Sequence, residues 1–193
     1  MGRLTYIFIA SCLILFSACS TIKFNKPETK LNNINIRNSA VYIYSFLDIR
    51  EDEFGPSMLA ELNKQLVQVL SNSGVPSKIL RFKDSEYSKT FSLVDKSMSI
   101  PVQETILGNA NQEQEFGAKY RMIVFPTEMS TSNMSNIYVI RWDLVDLNTG
   151  EIMWSITSRG THMKMWKNDE APEARAKTIV DGFVNEMMKS NML

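Results

Sequence analysis

The sequence is poor in the residues that build most catalytic and metal centres. It has one histidine and two cysteines among 193 residues, whereas tetrahedral zinc sites and histidine-activated nucleophiles each need several such side chains. No phosphate-binding glycine loop, dinucleotide fingerprint or Gly-x-Ser-x-Gly elbow occurs in it. The composition therefore predicts a protein without catalytic residues, without a metal site and without a cofactor.

An excess of charge of one sign is also missing. The 21 lysine and arginine residues balance 21 aspartate and glutamate residues, and the formal net charge at neutral pH is zero. Proteins that bind nucleic acid usually carry a basic excess or a basic face, because neutralising phosphates supplies much of their affinity. The charge balance therefore argues against nucleic acid as a partner.

The longest hydrophobic run is too short to cross a membrane. Residues from Leu4 to Phe16 are apolar or small, but a spanning helix needs about 20 apolar residues. Arg3 precedes the run and small residues end it, which is the layout of a secretory signal peptide. We therefore predict that residues 1–18 are a signal peptide and take no part in the fold.

The end of this run has a more specific pattern. Phe16-Ser17-Ala18-Cys19 resembles the lipobox of bacterial lipoproteins, in which small residues precede an obligatory cysteine, although Phe16 stands where leucine is most usual. The resemblance implies cleavage before Cys19, acylation of its thiol with fatty chains such as palmitate, and attachment to a membrane. The alternative is ordinary cleavage after Ala18, which leaves a free thiol.

The residues after Cys19 predict a location and a tether. In Gram-negative lipoproteins an aspartate after the cysteine commonly marks the inner membrane, so Ser20 implies the periplasmic face of the outer membrane for such a host. Residues 20–39 are rich in Asn, Lys, Ser and Thr, and such segments bury too little apolar surface to fold alone. We predict a flexible tether over 19–39. The alternative is that residues 32–38 dock as a strand onto the domain or a partner.

Residues 40–193 are predicted to form one periplasmic domain. A strand at 39–48 is followed by an amphipathic helix that Ser57 starts and Gly74 ends. Further apolar segments predict a strand at 75–82, a helix from Pro101 to about Phe116, and a buried strand at 118–129.

The second half of this domain predicts an antiparallel hairpin and a final helix. The segments 136–147 and 151–166 alternate apolar and polar residues around the turn Asn148-Thr149-Gly150. The last helix has an apolar stripe made of Ala176, Ile179, Val180, Phe183 and Met187. We therefore predict an α/β (α+β) fold, with a mixed sheet of about five strands, a C-terminal antiparallel hairpin and two or three packed helices.

A family resemblance appears at the hairpin. Gly117-Ala118-Lys119-Tyr120 enters one strand, and the hairpin carries Leu144, Asp146, Thr149, Gly150 and Trp154. This pattern resembles the envelope lipoprotein domains related to the amino-terminal domain of TolB, which include LpoB and part of CsgG. The resemblance implies a non-catalytic binding or accessory module for an envelope protein or assembly, in cell-wall synthesis or secretion. The alternative is an oligomeric structural component, a ring of an export apparatus.

Three residues are candidates for partner binding. Trp166 follows the last predicted strand among charged residues and is predicted to be an exposed anchor. Met187 and Met188, on the last helix, are predicted to form an adaptable docking face. Two polar runs carry weaker hypotheses: residues 162–165 could hold Cu(I) but fit the end of an edge strand better, and residues 50–53 fit a solvated turn better than a cation site.

Overall fold

The computed structural model of the chain describes residues 20–29, 34–83, 101–132, 135–163 and 171–193. Within these ranges, helices pack on a mixed sheet, which confirms the predicted α/β fold. The strands are β1 (Ser20–Phe24), β2 (Glu28–Thr29), β3 (Val41–Ser45), β4 (Ser77–Arg81), β5 (Tyr120–Thr131), β6 (Ser135–Asp146) and β7 (Ile152–Met163). The helices are α1 (Glu51–Phe54), α2 (Pro56–Asn72), α3 (Val102–Glu115) and α4 (Pro172–Lys189), and a 3-10 turn, Leu47–Arg50, precedes α1.

The sheet joins an antiparallel part to a parallel part. Its strand order is β1-β7-β6-β5-β3-β4, and β2 pairs with β7 beyond the end of β1. The pairs from β1 to β5 are antiparallel, whereas β3 runs parallel to both β5 and β4. The described residues form seven strands rather than about five, because β1 and β2 arise from the segment that we predicted to be a tether.

The helices cover both faces of the parallel part. Val41 and Ile43 of β3 join the larger core, which also contains the apolar stripes of α2 and α4. Tyr42 and Tyr44 point to the opposite face, where they pack with apolar side chains of α3. Successive residues of a strand face opposite sides, so a strand between two helical layers is apolar along its whole length.

The ends of α2 show one confirmed prediction and one error. Gly74 has φ +80°, and the amide of Val75 donates to the carbonyl of Leu70 at 2.9 Å, so the left-handed glycine terminates the helix as predicted. Ser57 does not cap the other end. The helix begins at Pro56 and has no side-chain cap, because proline fixes φ and lacks the N–H that a first helical residue would leave unsatisfied.

The predicted hairpin is confirmed, with one bulge that the pattern did not show. Strands β6 and β7 pair antiparallel, but the register shifts between Leu144 and Val145. Met153 is therefore buried in the core with Trp154, while Ile152 is 37% exposed. The extra residue in one strand thus breaks the regular alternation that the sequence pattern predicted.

Residues 20–29 and 34–39 also differ from the flexible tether that we predicted. Residues 20–29 contain the paired strands β1 and β2. Ile34 and Ile36 are buried in the larger core, and the amide of Ile36 donates to the carbonyl of Met192 at 3.0 Å. The alternative of docking onto the domain describes Ile34 and Ile36 better, although they do not form a strand.

Candidate binding surfaces

The strand that follows Cys19 is an edge strand of the sheet. Its five residues pair with β7 from Ser20 opposite His162 to Phe24 opposite Ser158. The amide of Asn25 continues the ladder by donating to the carbonyl of Thr157 at 2.9 Å. Cys19 itself lies outside the described residues, so its predicted acylation stays a prediction.

One face of β1 packs against the core. Ile22 and Phe24 are half-buried against the larger core, whereas Thr21 and Lys23 are exposed. This period of two is typical of a strand with one buried face. The alternation was visible in the sequence, and it is the signal that our interpretation of this segment as a tether overlooked.

A glycine in α4 makes room for the aromatic ring of β1. A Cβ atom built on Gly182 would lie 2.5 Å from Cε2 of Phe24 and 3.2 Å from its Cζ. Any side chain at position 182 would therefore have to displace the ring. Glycine inside a helix costs about 0.5–1 kcal/mol relative to alanine, so the close approach of Phe24 gives a physical reason for this residue.

Where the structure describes it, the end of the sheet at which β1 begins has three rows of paired residues without a carboxylate, lysine or arginine. Its outermost four-strand row contains Ser20, His162, Asn136 and Thr131, in the order β1, β7, β6 and β5. The next two rows contain Thr21, Thr161, Ile137 and Ser130, and then Ile22, Gly160, Tyr138 and Met129. Lys23, Arg159 and Glu128 stand only in the fourth row. We call the first three rows the uncharged end.

Two of the three predicted partner-binding residues lie within the described part of the chain. Trp166 lies outside the described residues. Met187 is fully buried in the core, which contradicts its predicted place on a docking face, while Met188 is 49% exposed. Met187 belongs to the same apolar stripe as Phe183, and that spacing already indicated an inward direction.

The outer side of the helical layer has a polar groove between α2 and α4. The groove encloses about 570 Å³, and Gln65 bridges it by donating from Nε2 to the carbonyl of Glu173 at 3.1 Å. Its charged lining includes both signs, from Glu61, Lys64, Glu173, Lys177 and Asp181. Because these charges nearly balance, the groove favours neither an anionic nor a cationic ligand.

The opposite face of the antiparallel part has a polar cluster. Asp143, which is nearly buried, accepts a hydrogen bond from Nε of Arg141 at 2.9 Å and from Oγ of Ser155 at 2.5 Å. Farther along the same strands, Arg159 and Glu128 form an ion pair at 3.2 Å whose side chains are both about half exposed. Since Ser155 faces a carboxylate and no imidazole, this cluster resembles a structural network more than an activated nucleophile.

A buried ion pair supports the parallel part. Arg121 donates to both carboxylate oxygens of Glu113, at 2.8 and 2.6 Å, and both side chains are largely buried. The ring of Tyr44 lies 5.9 Å from the Arg121 guanidinium carbon. Burial raises the pKa of Tyr44 to about 12, and the Glu113 carboxylate adds to the rise.

The run at 162–165, proposed for Cu(I), lies partly outside the described residues, because Lys164 and Met165 are not among them. His162 is 2% exposed, inside the sheet. Arg50 ends the 3-10 turn and Glu51 begins α1, so the acidic run is helical rather than the predicted turn. Across the described ranges, no group of three His, Cys, Asp or Glu residues is placed to hold a metal ion. No helix there is long and apolar enough to cross a membrane.

Comparison with known proteins finds likeness at the level of the fold. No protein-family model and no curated protein matches the sequence. A point-substituted form of the PelC dodecamer from Paraburkholderia phytofirmans superposes with a TM-score of 0.50 at 13% identity, over 90% of this chain and 99% of that chain. Lipoprotein GNA1162 from Neisseria meningitidis gives 0.42 at 16% identity, over 78% and 99% respectively. At such identity the likeness to PelC shows a shared fold alone.

Proposed function

We propose that this protein is a lipid-anchored, non-catalytic module of the bacterial envelope, attached through Cys19 to the periplasmic face of the outer membrane. It would serve as a binding or accessory component for an envelope protein or assembly, in cell-wall synthesis or secretion. The observation that carries the proposal is the continuity between the lipobox-like residues 16–19 and β1, which starts at Ser20 on the sheet edge.

The energetics of acyl chains support a lasting attachment. Each buried methylene contributes about 0.8 kcal/mol, and two or more chains hold a protein stably where one does not. The fold likeness to PelC is consistent with a small α/β envelope domain of this kind. The burial of His162, the sole histidine, supports a function other than histidine-based catalysis.

Lipid attachment is tested by replacing each cysteine in turn. We expect Cys19→Ser to abolish incorporation of labelled palmitate and to release the protein from the envelope membranes on fractionation. Cys12→Ser is the matched control, because Cys12 lies within the predicted signal peptide, and it should change neither result. Membrane sedimentation of the Cys19→Ser protein equal to the unmodified protein would contradict the anchor.

Partner binding is tested by crosslinking in living cells. A photoreactive residue at position 166 or 188 should give adducts with the same envelope protein, because Trp166 is the predicted anchor and Met188 is the exposed methionine of α4. The matched control is position 107, where Leu107 is 77% exposed on α3. Adducts that form equally from all three positions, or from none, would contradict a specific docking face.

A second candidate function is an oligomeric component such as a ring. It is favoured by one observation, that the PelC structure with the same fold is a dodecamer. Light scattering on the mature Cys19→Ser protein should then show one large assembly that persists on dilution. A monomer at every concentration would contradict the ring and leave the binding module in place.

A further inference from the structure

The first strand leaves almost no slack between a lipid on Cys19 and the body of the domain. Ser20 is already paired with His162, and adjacent Cα atoms are about 3.8 Å apart. The β7 ladder holds one edge of β1, and the Gly182 notch in α4 receives Phe24. The anchor is therefore joined to a fixed point of the sheet and not to a long coil.

We propose that the uncharged end of the sheet faces the phospholipid bilayer and rests against its headgroups. This inference rests on the proposed lipid anchor at Cys19 and goes beyond it, because it assigns the membrane-facing surface and the orientation of the domain. The surface is the end of the sheet where β1 and β6 begin and β5 and β7 end.

The exposed side chains at this end suit the headgroup layer. Thr21 and Ser130 are exposed and carry hydroxyl groups, whereas Asn136, His162 and Tyr138 are buried. None of the residues in the three rows is a carboxylate, a lysine or an arginine. At about 3.4 Å per residue the first and third rows are about 7 Å apart, similar to the headgroup layer, which adds about 5–7 Å on each side of the hydrocarbon core. Bilayers that contain anionic lipids repel carboxylates, so their absence from these rows removes a repulsive contribution.

The other end of the hairpin has the opposite character. Asp146 and Glu151 flank the turn at Asn148-Thr149-Gly150, and the turn residues are exposed. Asp146 is at the far end of β6 from the uncharged end. Within the described residues, the hairpin thus has one end without carboxylates and one end whose carboxylates an anionic surface would repel.

The orientation is tested with fluorescent labels at the two ends. Mature protein, purified in detergent from cell membranes, is labelled at Ser130→Cys or at Asn148→Cys and reconstituted into phosphatidylethanolamine and phosphatidylglycerol vesicles that contain nitroxide-labelled lipid. Both positions are exposed. We expect quenching at position 130 to exceed quenching at position 148 several-fold. Equal quenching, or stronger quenching at 148, would overturn the proposal.

The source of the orientation is tested by adding slack. Ten Gly-Ser residues inserted between Cys19 and Ser20 keep the anchor and the fold but free the domain from its fixed point. We expect the quenching difference between positions 130 and 148 to collapse. A second variant, Gly182→Leu, should weaken the difference by displacing Phe24, and the insertion remains decisive if this variant does not fold. An undiminished difference after the insertion would overturn the role of β1.

Flotation of the same vesicles separates the two proposals. Protein that floats with the vesicles but shows equal quenching at both positions would overturn the orientation and leave the anchor intact. Protein that fails to float would overturn the anchor and, with it, the orientation. Flotation together with quenching confined to position 130 supports both.

Discussion

The parallel and antiparallel parts of the sheet differ in how completely the rest of the protein covers their strands. Every residue of β3 in the parallel part is buried, because helices cover both faces. The antiparallel strands β6 and β7 are 12 residues long and extend beyond the ladder that β3 forms with β5. The parallel part therefore acts as an internal scaffold, whereas the antiparallel part presents surface and carries the strand that follows Cys19.

Ion pairs of different burial occur in the two parts. In the parallel part, the carboxylates of Glu113 and Asp48 are buried and each accepts two hydrogen bonds from one arginine. In the antiparallel part, the pair between Arg159 and Glu128 is half exposed. A buried charge without its partner is costly and an exposed one is not, so equivalent substitutions should have unequal effects in the two parts.

The largest effect is expected in the core beneath the antiparallel part. Trp142 is fully buried, stacks on Phe183 with ring centroids 4.3 Å apart, and donates from Nε1 to Oγ of Ser158 at 3.0 Å. Trp142→Ala should lower the free energy of unfolding by about 4 kcal/mol, measured by urea denaturation. Leu107→Ala, at an exposed site on α3, is the control and should change it by less than about 0.5 kcal/mol. Similar effects at the two sites would contradict the assigned core.

Two glutamate substitutions compare the parts directly. Glu113→Gln leaves Arg121 largely buried without its ionised partner, so we expect a loss of about 3 kcal/mol in the free energy of unfolding. Glu128→Gln removes the same charge from an exposed pair and should cost less than about 1 kcal/mol. Urea denaturation of both variants checks the difference. Equal losses would contradict the expectation that the buried pair contributes more to the free energy of unfolding than the exposed pair does.

A pair of glycines tests close packing across β6 and β7. A Cβ at Gly160 would overlap the ring of Tyr138 on the neighbouring strand, an arrangement in which an aromatic side chain covers a strand glycine. Gly160→Ala should therefore destabilise the protein by about 2 kcal/mol. Gly108→Ala on α3 has open space and should stabilise by up to about 1 kcal/mol. Thermal denaturation shows whether each substitution raises or lowers the stability, and stabilisation by Gly160→Ala would contradict the close packing of Tyr138 on Gly160.

The smallest effect is confined to alkaline pH and to the parallel part. Because the pKa of Tyr44 is raised to about 12, the unfolded chain loses this proton near pH 10 while the folded protein keeps it. The contribution of Tyr44 to stability is therefore present below about pH 10 and lost as the pH rises towards 12. Between pH 7 and pH 11, the Tyr44→Phe variant should therefore lose less of its free energy of unfolding than the unmodified protein loses. An identical pH dependence in urea denaturation would contradict the assignment.

The sequence indicated local structure where periodicity and turn chemistry agreed. The turn before β7 was predicted because Gly150 permits positive φ, and it has φ +72°. The stripe of α4 was predicted in the same way, and all five of its apolar residues are buried. Periodicity also placed Met187 inside, and the docking hypothesis failed where it disregarded that spacing.

Strand β1 and the bulge depend on contacts that no local pattern contains. β1 is stabilised by β7 and by Gly182, both of which lie more than 100 residues later in the chain. The alternation of Ile22 and Phe24 is short and lies in a polar segment. The polar composition of that segment therefore led us to predict a tether. The bulge at Leu144 reflects how two long strands fit together, and neither strand signals it alone.

The pairing of β1 with β7 has a mechanical consequence. A pull that separates the domain from Cys19 runs along the axis of β1, so it loads the ladder from Ser20 to Phe24 in shear. The hydrogen bonds then share the load and must yield together, whereas a strand peeled from its side would lose them one at a time. These five residues would thus make an attachment through Cys19 resistant to force.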